Sequence, residues 1–96
     1  MTKAKKELNA GYEIILSETY EQIETIEHRM VLGEIRKGAG TKYVVWHNDR
    51  GVYHPGTDKE TTVNSYYWGH DYNDKKKALA YYHETLAFKY KGYYNA

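Results

Sequence analysis

The sequence predicts a small α+β domain in which an antiparallel meander sheet of three to four strands carries one long C-terminal helix on one face. Four segments rich in β-branched and aromatic residues follow one another between short turns, at residues 12–18, 25–37, 41–47 and 61–68. A segment with helical periodicity comes next and runs to about residue 91. A chain of 96 residues is expected to form one domain, here residues 1–96.

The two middle strands form the clearest pair, because the turn Gly38-Ala39-Gly40 separates them. A glycine-containing turn of this length predicts a β-hairpin. Gly33 predicts a bulge within the first strand of that hairpin.

The other connections are predicted from polar and turn-forming residues. Residues 19–24 predict a polar connection with room for one helical turn. Residues 48–51 predict a second turn, and residues 54–58, which hold the only Pro of the chain, predict a third. For residues 1–10 two alternatives stay open, a flexible arm and a short N-terminal helix.

The final helix is expected to begin after Asn73 or Asp74, either of which can cap it, and to end at Gly92. Its apolar stripe is expected to pack on the sheet. The stripe consists of Leu79, Tyr82, Leu86 and Tyr90, widened by Ala78, Tyr81 and Phe88. Because a single helix covers a single face, the other face of the sheet is expected to stay partly open.

Composition narrows the function classes. The chain has 12 Tyr, 2 Trp, no Cys and a net charge of +1. The lack of Cys excludes disulfides, thiolate nucleophiles and cysteine–zinc sites. The near-neutral charge argues against a dedicated DNA-binding protein and against an acidic DNA mimic. No apolar run approaches the roughly 18 residues of a membrane span, so we predict a cytoplasmic protein without membrane contact.

Catalytic and metal-binding patterns are weak. The five His residues show no metal-ligand spacing. Ser17 and Ser65 do not lie in a nucleophile elbow, and the glycines at the 38–40 turn do not form a phosphate-binding loop. We therefore predict a non-enzymatic protein without a metal or cofactor. A small hydrolase or metal enzyme, built on carboxylates or histidines that meet in space, stays open as a weaker alternative.

The densest aromatic segment of the chain, at residues 66–72, is the candidate binding surface. Side chains alternate along a strand, so we expect Tyr66, Trp68, His70 and Tyr72 to share one side and Tyr67 to take the other. Two interpretations stay open, a core anchor beneath the helix and an exposed patch, and both can hold on opposite faces. Trp and Tyr are frequent among interface hot spots.

A run of three lysines opens the predicted helix. Lys75, Lys76 and Lys77 oppose the helix dipole at this end, which indicates either a solvated face or an anionic partner. They complete the set of predicted binding residues. Acidic residues concentrate elsewhere, since residues 12–28 hold no Lys or Arg before Arg29, and glutamates beside the aromatics would favour a basic protein partner.

Three segments carry a resemblance to known proteins. They are Tyr43-Val44-Val45-Trp46, Tyr67-Trp68-Gly69-His70-Asp71-Tyr72 and a helix starting at Lys76-Lys77-Ala78. The pattern resembles small proteins of phages and mobile elements that pair a YVxW strand with a GHYF-like segment and a helix, although this chain has Gly-His-Asp-Tyr there. That group includes anti-CRISPR-type inhibitors of host defence. The resemblance implies a context and assigns no catalytic residue.

The resulting expectation is a non-enzymatic binding protein that docks on a protein or ribonucleoprotein, with an anti-CRISPR-like inhibitor as its sharpest form. The alternative is a small nucleic-acid-binding module in which sheet aromatics stack on bases and the lysine run contacts phosphate.

Overall fold

The strands form one antiparallel sheet in the order β1-β2-β3-β4-β5, and a single helix follows it. The computed structural model describes residues 6–53 and 61–94. Its elements are β1 (Leu8–Asn9), β2 (Tyr12–Ile23), β3 (Ile26–Lys37), β4 (Gly40–Tyr53), β5 (Thr61–Tyr72) and α1 (Lys75–Tyr94). The predicted α+β class, meander topology and C-terminal helix are confirmed. The predicted number of strands was too low, since β1 adds a fifth strand.

The hairpin at Gly38 and Ala39 is confirmed, with Lys37 paired to Gly40. Two other predicted connections are wrong because the strands run through them. β2 continues to Ile23, so residues 19–24 hold no helical turn, and β4 continues through residues 48–51 to Tyr53. The turn predicted at residues 54–58 lies outside the described residues. So do residues 1–5 of the predicted arm or short helix.

The bulge predicted near Gly33 is found in the pairing of β2 with β3, but its extra residue belongs to β2 and not to β3. Gly33 pairs with Ile14 and Leu32 pairs with Leu16, so the extra residue is Ile15 of β2, whereas Gly33 pairs regularly with Val44 on β4. A second register shift of β2, around Tyr20, was not predicted. The side chains of Ile15 and Tyr20 pack against the core beneath the helix. The two register shifts therefore bring Ile15 and Tyr20 of β2 to the same face of the sheet, beneath the helix.

The helix covers the face that carries alternate residues of β3 and β4. The helix residues Ala78, Tyr82 and Leu86 are buried, as the predicted stripe requires. They pack on Met30, Leu32, Tyr43 and Val45. Phe88 was wrongly assigned to this stripe: it is 74% exposed. The helix also passes Gly92, its predicted end, and reaches Tyr94. Within the described ranges, no helix combines the length and apolar character needed to cross a membrane.

The face away from the helix is more covered than expected. Val31 is 0% exposed and Val44 is 3% exposed, so the prediction of a partly open face is wrong in the middle of the sheet. The Glu7 carboxylate, from the segment before β1, reaches Arg29 on β3 and Tyr66 on β5. The segment before β1 is therefore linked to β3 and β5 across this face.

Candidate interaction site at Trp68

A bulge in β5 sets the geometry of the predicted binding segment. Val45 pairs with His70 and His47 pairs with Tyr67, so Trp46 of β4 is opposite two residues, Trp68 and Gly69. Trp68 has a φ of 55°. This left-handed conformation is rare for a bulky residue and costs on the order of 1–3 kcal/mol. The surrounding packing must hold Trp68 in place.

Trp46 occupies the space beside the bulge. A Cβ atom at Gly69 would lie 2.7 Å from Trp46 Nε1, and one at Gly33 would lie 2.9 Å from Trp46 Cζ3. The Trp46 indole therefore needs a glycine on each neighbouring strand. Its ring also makes edge contacts with Tyr12 and Tyr66, at centroid distances of 5.4 and 5.8 Å.

The bulge changes which side chains share a face. Because β5 has an extra residue at this point, Tyr66 lies on the face away from the helix, where its hydroxyl donates to Glu7 Oε2 at 2.8 Å. Trp68 lies on the helix side, against Tyr67. His70 lies there too, 4.5 Å from the Tyr81 ring of α1.

Tyr72 follows His70 on the same side, with its ring 5.9 Å from that of Tyr81. The prediction that Tyr66, Trp68, His70 and Tyr72 share one side is therefore wrong for Tyr66. The prediction that Tyr67 lies opposite Trp68 is also wrong. A strict alternation of side chains fails here because a bulge places two successive residues of β5 opposite one residue of β4.

The Trp68 side chain is exposed to solvent and at the same time contacts two neighbouring rings. Its side chain is 68% exposed, yet its ring packs edge-on against His47 at 5.2 Å and Tyr67 at 5.0 Å. Phe88 comes seven residues after Tyr81, about two helical turns, so it lies on the same flank of α1, and it is 74% exposed. We call the exposed set of Trp68, His70 and Phe88 the Trp68 surface.

A cluster of polar side chains, of which His47 is the buried member, lies beside Trp68. His47 is 6% exposed, its ring stacks on Tyr67 at 5.6 Å, and its Nδ1 atom has no hydrogen-bond partner. The Tyr67 hydroxyl donates to Asp49 Oδ1 at 2.9 Å. His28 Nδ1 lies 2.7 Å from the same oxygen. These contacts fix the rings on which Trp68 rests.

Burial sets the protonation states in this cluster. It lowers the pKa of His47, and the nearby Lys89 charge adds to that effect. Burial also raises the pKa of Tyr67, with a further contribution from its hydrogen bond to Asp49. Neutral His47 and neutral Tyr67 are therefore the forms that support Trp68 at neutral pH.

The lysine run lies beyond the Tyr72 end of β5 and is exposed. Asp74 caps the helix there, since the backbone N–H of Lys76 donates to Asp74 Oδ1 at 2.8 Å. The first turn of α1 has no acidic residue. A shallow depression of about 240 Å³ opens nearby, lined by Tyr12, Lys42, Asp71, Tyr72 and Asn73.

His47, Asp49 and Phe88 belong to the site but were not predicted as site residues from the sequence. A signal for the first two was present, because residues 47 and 49 lie on the same side of a continuous strand. The turn predicted at residues 48–51 concealed it. Phe88 was predicted to lie in the core because its helical spacing places it beside the apolar stripe.

Metal and family comparisons give no further assignment. Over residues 6–53 and 61–94, no group of three or more His, Asp or Glu side chains is arranged to hold a metal ion. No protein-family model, curated protein or solved structure matches this chain.

Proposed function

We propose that this chain is a non-enzymatic binding protein that docks on another protein through the Trp68 surface. One observation carries the proposal: a Trp that is 68% exposed is held at a φ of 55°. Strained backbone that persists at an exposed side chain is typical of functional sites. A rigid, protruding Trp is also a common hot-spot residue, because it buries a large area on binding and loses little conformational entropy.

The environment of Trp68 supports a pre-organised anchor. His47 and Tyr67 both contact its ring edge-on, with interplanar angles of 82° and 80°. These contacts restrict the indole before any partner arrives. Binding then costs less side-chain entropy than it would for a freely rotating Trp.

A nucleic-acid-binding module is the second candidate, and the exposed run at Lys75, Lys76 and Lys77 favours it. Stacking of successive bases needs neighbouring aromatic side chains on one face. The bulge moves Tyr66 to the other face, so this candidate depends on Trp68, His70 and Tyr72, which share the helix side. With three lysines available for phosphate contact, we expect only weak binding that disappears as salt rises.

The sharpest form of the proposal is an inhibitor of a nuclease complex, of the anti-CRISPR type encoded by phages and mobile elements. It depends on the resemblance carried by residues 43–46 and 67–72. In that form, the protein lowers DNA cleavage by its target ribonucleoprotein, and a Trp68→Gly variant restores cleavage. Glycine is the appropriate replacement because it adopts positive φ without strain.

Affinity capture from host lysate tests the proposal. The baits are wild type, Trp68→Gly and the control Tyr53→Ala, which removes an aromatic that is 52% exposed at the end of β4. We expect a protein that binds wild type and the control, resists nuclease treatment and is lost with Trp68→Gly. Loss of binding on nuclease treatment would favour the nucleic-acid candidate instead. Equal capture by Trp68→Gly would contradict the proposed surface.

A further inference from the structure

Three hydrogen-bond donors converge on one carboxylate on the face away from the helix. Glu7 Oε2 accepts from Arg29 Nη2 at 2.7 Å and from the Tyr66 hydroxyl at 2.8 Å. Glu7 Oε1 accepts from Arg50 Nη1 at 3.3 Å. The donors come from β3, β4 and β5. Two guanidinium groups and a phenol around one carboxylate form a strong, directional binding arrangement.

The sheet positions these donors through contacts that do not involve Glu7. Arg29 is 3% exposed, and its Nε donates to Asn48 Oδ1 at 2.8 Å. Asn48 is fully buried, and its Nδ2 donates to Asn64 Oδ1 at 2.8 Å. The Tyr66 ring packs edge-on against Trp46. The donors therefore form a pre-organised pocket within the sheet.

Arg50 completes the pocket on its exposed side. Its Nη2 donates to Glu27 Oε2 at 3.4 Å, and its side chain is 44% exposed. Glu7 itself is 29% exposed. A carboxylate from another molecule can thus approach the pocket from the Arg50 side.

The carboxylate that fills the pocket belongs to a weakly attached segment. Glu7 precedes β1, which has only two residues. Its backbone carbonyl accepts one hydrogen bond from Ile14 N–H at 2.9 Å. Leu8, the next residue, is 62% exposed. Apart from the Glu7 carboxylate, the segment therefore has few contacts that resist local opening.

Buried Arg29 needs an anion whether or not this segment is in place. A guanidinium left buried without a counter-charge is strongly destabilising. Burial on its own raises the pKa of Glu7, but the hydrogen bonds from Arg29 and Tyr66 and the charges of Arg29 and Arg50 outweigh it and lower the pKa. The pocket therefore favours an ionised carboxylate.

We infer that Arg29, Arg50 and Tyr66 form a carboxylate-binding site that Glu7 fills in this structure and that accepts an external carboxylate when Glu7 withdraws. The ligand class is a carboxylate, as on an acidic segment of a partner protein. This site lies on the face away from the helix, whereas the Trp68 surface lies on the helix side. Its occupant would couple the position of the N-terminal segment to partner binding.

Chemical rescue of a Glu7→Ala variant tests the inference. The melting temperature is measured in sodium acetate and in sodium chloride at matched ionic strength and neutral pH. We expect acetate to raise the melting temperature of Glu7→Ala above its value in chloride, by about 5 °C once acetate exceeds its dissociation constant several-fold. If the variant is unfolded in chloride, the readout is recovery of the folded circular dichroism signal as acetate is added.

Two controls separate a bound anion from a general salt effect. Wild type retains Glu7 in the pocket, and Glu13→Ala removes an exposed carboxylate that pairs with Lys6 at 3.7 Å. We expect acetate and chloride to differ much less for both proteins than for Glu7→Ala. An equal response of all three proteins, or no rescue of Glu7→Ala by acetate, would overturn the carboxylate site.

Discussion

The Trp46 indole packs directly on the backbone of Gly33, where a Cβ atom would lie 2.9 Å from Trp46 Cζ3. The same Cβ would lie 3.0 Å from the Cβ atom of Tyr12. Gly33 is buried within the regular pairing of β3 and β4. The glycine therefore serves close packing between neighbouring strands.

A Gly33→Ala substitution should destabilise the fold by about 1–3 kcal/mol, because the added methyl group overpacks the Trp46 ring. Gly40→Ala is the matched control, since the nearest atom to its Cβ is a backbone oxygen at 4.0 Å. Urea denaturation of both variants measures the difference. Equal midpoints would show that the Trp46 ring shifts freely.

A Leu86→Ala substitution should lower the free energy of unfolding by about 2–5 kcal/mol, because Leu86 is 6% exposed in the core beneath α1. Phe88→Ala, two residues away on the exposed side, should change it by less than about 0.5 kcal/mol. Thermal and urea unfolding give both values. A large loss with Phe88→Ala would show that the Trp68 surface is part of the core.

Much of the fold could be predicted because its signals are local. The helix stripe and the turn at Gly38 and Ala39 depend on residues close in sequence. The turn at residues 48–51 was wrongly predicted because the polar side chains there have partners on other strands. Asn48 accepts from Arg29, and Asp49 bonds to Tyr67. Sequence alone shows the polarity and cannot show these distant partners.

Two features of the site depend on strand pairing. The face of Trp68 follows from the register between β4 and β5, which shifts between Val45 and His47. The face away from the helix is covered in part because the Glu7 carboxylate hydrogen-bonds to Tyr66, 59 residues away in the chain. Such long-range contacts leave no periodic signal in the sequence, so the parity of Tyr66 and the burial of that face were mispredicted.

The stability of the protein should fall as pH drops below about 6.5, the pKa of an unperturbed histidine. Burial lowers the pKa of folded His47, so the unfolded chain takes up a proton in this range before the folded chain does. The contribution of His47 to stability is fully present above the pKa that histidine has in the unfolded chain. It is lost as pH falls toward the lower pKa of His47 in the folded protein.

A His47→Phe variant keeps a ring against Tyr67 and removes the titrating group. Its free energy of unfolding should depend less on pH than that of wild type between pH about 7 and about 5. Urea denaturation at the two pH values gives the comparison. Identical pH dependence in both proteins would show that His47 is not the group responsible.

Replacement of Trp68 should reverse the usual order of alanine and glycine in a strand. Glycine ordinarily costs about 0.5–1 kcal/mol relative to alanine. At a φ of 55°, however, alanine retains a left-handed strain of about 1–2 kcal/mol that glycine avoids. Trp68→Gly should therefore be at least as stable as Trp68→Ala in urea. A clearly more stable alanine variant would argue against a left-handed conformation at Trp68.

The dissociation constant of the captured partner, measured by calorimetry with wild type and Trp68→Gly, tests the docking surface most directly. Loss of a hot-spot Trp costs about 2 kcal/mol or more, so we predict binding at least about 30-fold weaker with the fold intact. Tyr53→Ala should bind as wild type does. A change of less than about threefold for Trp68→Gly would contradict a docking role for Trp68.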